Sequence, residues 1–78
     1  MWHYLNKNSD DLPPEKEVLV FIEYKTWYQG KNTIEHAYDL GTRRLSGNWC
    51  LDVFKEENED TKIVAWCELP EVDMEEVK

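Results

Sequence analysis

A chain of 78 residues with a formal charge of −8 makes one small domain, able to bury only about 60% of its unfolded surface. Four tryptophans, four tyrosines and two phenylalanines exclude a disordered chain, since each ring can bury on the order of 200 Å² of a core this small. The charge also argues against general nucleic-acid binding, because a field of that sign repels a phosphate backbone.

The first element is aromatic: Trp2, Tyr4 and Leu5 are suited to cover one side of a sheet. Asn8-Ser9-Asp10-Asp11 has turn composition, and Leu12-Pro13-Pro14 leads in extended form to the next run. Lys16 to Tyr24 is the clearest strand. Val18, Val20 and Ile22 fall on one face and Leu19 and Phe21 on the other, so both faces need cover and the strand is expected at the centre of the sheet. Residues 25 to 32, with Gly30 near the tip, form a hairpin-like connection. Thr33 to Leu40 alternates. Its apolar side, Ile34, His36, Tyr38 and Leu40, is expected to face the core, and Thr33, Glu35, Ala37 and Asp39 to face away.

Gly41 to Asn48 reads as a loop carrying Arg43-Arg44 and the turn pair Gly47-Asn48. The third strand is expected at Trp49 to Phe54 and the fourth at Thr61 to Cys67, joined by the acidic loop 55 to 60. A symmetric hairpin about that loop sets Trp49 opposite Trp66 and Leu51 opposite Val64, with Val53 on the same buried face. Only residues 71 to 78 can form a helix, and eight residues are too few for one to be stable unless docked. The expected fold is thus mainly β, a single domain spanning residues 1 to 78. Its sheet has four antiparallel strands in sequence order, a curled meander, with a flexible acidic tail from about residue 71.

Charge is unevenly placed. Residues 56 to 76 hold nine acids (Glu56, Glu57, Glu59, Asp60, Glu68, Glu71, Asp73, Glu75 and Glu76) against one base, Lys62, while residues 1 to 55 hold eight acids and seven bases. Such a stretch serves as a solubilising surface or as a patch that meets a basic partner. No segment approaches the ~20 apolar residues of a membrane span. No basic segment leads into an apolar one at the N-terminus, so the expected location is the cytoplasm of the producing or host cell, with Cys50 and Cys67 as reduced thiols.

Two cysteines and two histidines at no recognised ligand spacing imply no metal site. Nucleophilic catalysis needs a thiol or hydroxyl beside an oriented base. Cys50, Cys67 and His36 supply the residue types without a supporting spacing, and are read as strand residues. Gly30, Gly41 and Gly47 are isolated and make no phosphate loop. No catalytic residue and no cofactor is therefore expected. Trp27-Tyr28, flanked by Lys25 and Lys31, stand apart: such aromatics either anchor a partner or fold back over the sheet. Two functional readings follow. The first is a non-enzymatic module that binds a protein partner through Trp27-Tyr28, through the acidic loop with Glu56, Glu57, Glu59 and Asp60, or through the tail after Pro70, in one form as an inhibitor whose acidic face occupies a basic groove of a host or defence protein. The alternative is a weak single-stranded nucleic-acid binder using Trp27-Tyr28 with Arg43-Arg44.

The order of motifs carries a resemblance. Trp2, then Leu12-Pro13, Val18-Leu19-Val20, Tyr38, Trp49 and the closing Val64-Ala65-Trp66-Cys67-Glu68-Leu69-Pro70 resemble a small domain of unknown function that recurs in phage and prophage genomes. The likeness spans nearly the whole chain, although residues 24 to 32 and 55 to 60 have no fixed counterpart in it. It implies a β-rich protein of phage type, and it carries no known reaction from which a catalytic residue is transferred.

Overall fold

The computed structural model describes residues 1–77. Among them the chain forms strands β1 (His3–Tyr4), β2 (Glu17–Tyr28), β3 (Lys31–Arg43), β4 (Trp49–Leu51) and β5 (Thr61–Cys67), then a single-turn helix, α1 (Met74–Val77). All strands join one antiparallel sheet in the order β1-β5-β2-β3-β4. The mainly β, single-domain expectation holds, with barely any helix; α1 is exposed throughout and undocked. Within the acidic tail 71 to 78, Lys78 lies outside the described residues.

The sequence-order meander does not hold. The last strand returns beside β2 rather than β4, giving β2 to β5 the spatial order of a Greek key, and the N-terminal segment adds a fifth strand, β1, at the edge. Residues 52 to 55 explain the change. Asp39 of β3 takes the backbone N–H of Val53 and of Phe54 on its carboxylate at 2.9 and 3.0 Å. Asp52 N–H donates to the Leu40 carbonyl and Leu51 N–H to that of Lys55. Lys55 turns the chain at φ 70°. These bonds stop β4 after Leu51, well short of Phe54, and direct the chain across the sheet to the far side of β2. Trp49 consequently pairs with Arg43, and Trp66 with Val20 and His3; the two tryptophans do not face each other across a hairpin.

Both long strands exceed their expected bounds. β2 and β3 pair without interruption from Glu17↔Thr42 to Tyr28↔Lys31, so residues 25 to 28 and 31 to 32 are strand rather than connection. The turn is only Gln29-Gly30, at φ 50° and 79°, the doubly positive geometry of a type I′ hairpin, which matches the twist of the strands it joins.

Pairing also decides which face is buried, because directly opposed residues share a face. Val18, Val20 and Ile22 are fully buried and oppose Gly41, Asp39 and Ala37. The inward side of β3 is therefore the Ala37-Asp39-Gly41 side. The stripe of Ile34, His36 and Tyr38, expected to face the core, is exposed instead. Periodicity identified the alternation correctly but not its sign, since the polar Asp39 is the buried member.

On the core face Val18, Val20, Ile22, Trp49, Leu51, Ile63 and Trp66 form one cluster, with Leu5, Tyr24 and Phe54 packed against it. A bulge in the pairing of β5 with β2, between Phe21 and Ile22, keeps both Ile63 and Trp66 on that side. Two crossing segments cover the cluster. Residues 5 to 16 pass over Trp66, whose indole N–H donates to the Asp11 carbonyl at 2.7 Å, while Pro13 is buried beneath. Residues 52 to 60 cover the other half, where the Phe54 ring lies 5.2 Å from that of Tyr24. Val53, expected in the core, points outward and is exposed.

Gly41 is the point of closest approach in this packing. A Cβ there would lie 2.8 Å from Leu51 Cδ2 and 3.5 Å from the Trp49 ring, both buried. Gly41→Val is expected to destabilise the domain by about 1–3 kcal/mol through overpacking, read as a lowered urea midpoint at unchanged slope.

Candidate interaction surfaces

Three regions hold the residues with functional promise. The first is the end of the β2–β3 ribbon. β5 stops pairing with β2 at Tyr24↔Thr61 and Lys25 N–H still donates to the Asp60 carbonyl, so beyond that level Thr26–Tyr28 and Lys31–Thr33 pair only with each other and form a two-stranded arm. Trp27 and Tyr28 stand near its tip, 67% and 65% exposed, on opposite faces of the ribbon as consecutive strand residues must. Of the two alternatives for Trp27, the exposed one is found. The molecule's extents of 53 × 29 × 21 Å place the arm along its long dimension.

The second region is the acidic segment. It is a crossing connection rather than a hairpin loop, and it is tied down. Asn58 accepts the N–H groups of Asp60 and Thr61 on its side chain, the Glu57 carboxylate accepts Ile63 N–H at 3.1 Å, and the Asp60 carbonyl accepts Lys25 N–H. Glu56, Glu57, Glu59 and Asp60 are all exposed. Glu59 and Asp60 line a small concavity with Glu23, Lys25, Ile34 and Lys62 at the root of the arm, so the acids reach the base of the aromatic tip.

Arg43 and Arg44 lie elsewhere. Arg43 ends β3, 12 residues along the strand from Lys31, which at about 3.3 Å per residue places it about 40 Å from the arm's tip. Arg44 instead lines a concavity of about 340 Å³ with Asn48, Trp49, Cys50, Glu56 and Glu57, and its Nε donates to Cys50 Sγ at 2.9 Å. The structure thus brings Arg44 together with Glu56 and Glu57, and separates both arginines from Trp27 and Tyr28.

The third region was not singled out from the sequence. On the sheet face opposite the core, Trp2 and Tyr38 pack on Phe21, His36 stacks on Phe21 at 5.3 Å, and Tyr4 lies beside them. Trp2, Tyr4, Phe21, Tyr38 and Ala65 line a shallow depression of about 170 Å³. Tyr4, Ile34 and Tyr38 are 52%, 59% and 63% exposed. The signal was present in Leu19 and Phe21, which demanded cover for the second face of β2. Of the N-terminal residues suited to cover one side of the sheet, Trp2 and Tyr4 reach this side and Leu5 packs on the core.

The groups weighed for catalysis are dispersed. His36 Nε2 meets Glu23 Oε1 at 3.3 Å. Cys50 on β4 and Cys67 on β5 are separated by β2 and β3, about 14 Å at the usual strand spacing; both are free thiols. His3 Nδ1 meets Asp11 Oδ2 at 2.8 Å while its ring stacks on Trp66 at 4.0 Å, a contact that fixes the N-terminal segment over the core. Among the described residues no group of three or more His, Cys, Asp or Glu could hold a metal ion, and no helix is long and apolar enough to cross a membrane. Comparisons of the chain with known protein families, with characterised proteins and with solved structures find no match.

Proposed function

We propose that this protein is a non-enzymatic interaction module, of the phage or prophage kind its motifs resemble, and that it engages a protein partner with the arm of β2 and β3. The observation that carries the reading is the exposure of Trp27 and Tyr28 on an element that contributes nothing to the core. Large rings with few rotatable bonds lose little conformational entropy on binding, and tryptophan and tyrosine are the residues that most often dominate an interface. The acids at the root of the arm favour a partner with a basic surface. In its sharper form the module is an inhibitor that sets Glu56, Glu57, Glu59 and Asp60 in a basic groove of a host or defence protein. The alternative, a single nucleic-acid strand shared by Trp27-Tyr28 and Arg43-Arg44, is less favoured. It would have to bridge about 40 Å of strand and meet Glu56 and Glu57 beside Arg44.

The test is affinity capture from bacterial lysate with three baits side by side: the wild type, a Trp27→Ala/Tyr28→Ala variant, and a variant with Glu56, Glu57 and Glu59 changed to Gln and Asp60 to Asn. Glutamine is chosen at Glu57 because it keeps an acceptor for Ile63 N–H. The aromatic variant is expected to match the wild type in stability within about 0.5 kcal/mol and to lose its partner, since truncating such an anchor costs about 2 kcal/mol or more of binding energy. Identical captured proteins for all three baits would overturn the reading. Retention by the amide variant alone would remove the acidic-inhibitor form.

A further inference from the structure

We propose that the sheet face carrying Trp2, Tyr4, Phe21, Ile34 and Tyr38 is a self-association surface, on which two copies of this chain pack face to face about a twofold axis. A sheet with apolar residues on both sides needs cover on both, and residues 5 to 16 and 52 to 60 cover only one. The outer face keeps Leu19, Phe21 and Leu40 half-buried and leaves Tyr4, Ile34 and Tyr38 more than half exposed.

Charge selects the occupant. Of the acids of residues 56 to 60, Glu56 and Glu57 lie beside Arg44, while Glu59 and Asp60 reach the Ile34 end of this face, where they line a concavity with Glu23, Lys25 and Lys62. On the outer face the charged residues are mixed: Glu17, Glu23 and Lys25 on β2, Lys62 opposite Glu23 on β5, and Lys7 with its ammonium 5.8 Å from the Tyr4 ring. A face with both signs interspersed around an aromatic centre is complementary to itself under a twofold rotation. With Glu17, Glu23, Glu59 and Asp60 against Lys7, Lys25 and Lys62 it is close to balanced, and offers little charge excess to a phosphate backbone or to a strongly basic protein.

Size and edges agree with this occupant. Strands β1, β5, β2 and β3 span about 15 Å across, and β2 runs nearly 40 Å, so the flat face offers on the order of 500 Å². Two such faces bury about 1,000 Å², the lower limit of a specific interface. The depression bounded by Trp2, Tyr4, Phe21 and Tyr38 has room for one large side chain of the partner copy. Pairing through edges is disfavoured, because the edge strands β1 and β4 are only two and three residues long.

Sedimentation equilibrium on the full chain, from low micromolar to sub-millimolar concentration, tests the proposal. The wild type is expected to pass from monomer to dimer across the series, and to do so equally in high salt. Ile34→Lys and Tyr38→Glu are each expected to raise the dissociation constant by at least about tenfold. Tyr38 contacts Phe21 and Trp2, so its variant is checked for folding by circular dichroism; Ile34 stands at the root of the arm and provides the independent test. A wild type that stays monomeric throughout overturns the proposal. So does a dimer that survives both variants, or one abolished only by Trp27→Ala, which would assign association to the arm. A mass shift seen only when oligothymidine is added would give the face to nucleic acid and also overturn it.

Discussion

Replacing Asp39 with alanine is expected to cost about 2–4 kcal/mol, a large share of what a domain this size has. Asp39 is 6% exposed, the one buried charged side chain among the described residues. It is held by backbone rather than by a cation: Leu40 N–H donates to Oδ1 at 2.8 Å, Val53 N–H to both oxygens, and Phe54 N–H to Oδ2. Alanine removes every one of these acceptors at once. Val53 and Phe54 are then free to lift, and with them goes the Phe54 ring that packs on the core beside Tyr24. Asparagine has a single carbonyl oxygen in place of two. It can serve either the Leu40 side or the Phe54 side, and is expected to cost roughly half as much as alanine. Urea unfolding of both variants measures the ordering, and amide hydrogen exchange at Val53 and Phe54 reports whether the crossing segment has opened. An alanine variant within about 0.5 kcal/mol of wild type would mean that Asp39 does not hold the crossover. The same residue sets the position of Glu56, Glu57, Glu59 and Asp60, so any loss of binding in this variant would reflect the scaffold rather than a contact.

Asp39 also shows where the sequence misled. The strands themselves were legible, because β-branched and aromatic runs bounded by turn residues have few other uses: Thr61–Cys67 has the expected bounds, and Val18, Val20 and Ile22 form the expected buried row. Strand order was not legible. The hydrophobic pattern of residues 49 to 67 suits a local hairpin as well as a crossover, and the choice rests on Asp39 reaching residues 53 and 54, more than a dozen positions away. Nothing in a periodicity marks an aspartate as buried when its partners are backbone amides. The inverted face of β3 has the same origin, and it hid the outer aromatic surface by making Tyr38 and Ile34 look like core.

The candidate surfaces divide along similar lines. Trp27 and Tyr28 were recognisable because they lie beside Gly30, where a tight turn leaves little sheet to cover them. Their separation from Arg43 and Arg44 follows from the unbroken 12-pair ladder between β2 and β3, whose length depends on the positive φ of Gln29 as well as of Gly30. A glutamine in that conformation is uncommon, so the sequence suggested a looser connection and a shorter distance. The acidic segment was visible as charge, but its role as a cover for the core was not.

Trp66→Ala is the second variant with a large expected effect, about 3–5 kcal/mol, enough to leave much of the protein unfolded at room temperature. The indole is 4% exposed and joins three parts of the fold. Its faces pack in the core cluster and against the His3 ring, and its N–H donates to the Asp11 carbonyl. Through those contacts β5 holds both β1 and the segment that brings Pro13 over the core. Trp66→Phe separates the two contributions. Phenylalanine retains most of the apolar surface and leaves the Asp11 carbonyl without the indole donor, for an expected cost of about 1–2 kcal/mol. It also keeps a ring for His3 to stack on, so the N-terminal segment should stay docked. Thermal unfolding of the two variants should therefore rank alanine well below phenylalanine, with phenylalanine below wild type. If instead Phe and Ala are equally destabilised, the hydrogen bond to Asp11 rather than ring burial is what closes this end of the core. If Phe matches wild type, the carbonyl of Asp11 finds water without cost, and the hold of residues 5 to 16 on the sheet rests on apolar packing by Leu5, Pro13 and the His3 ring.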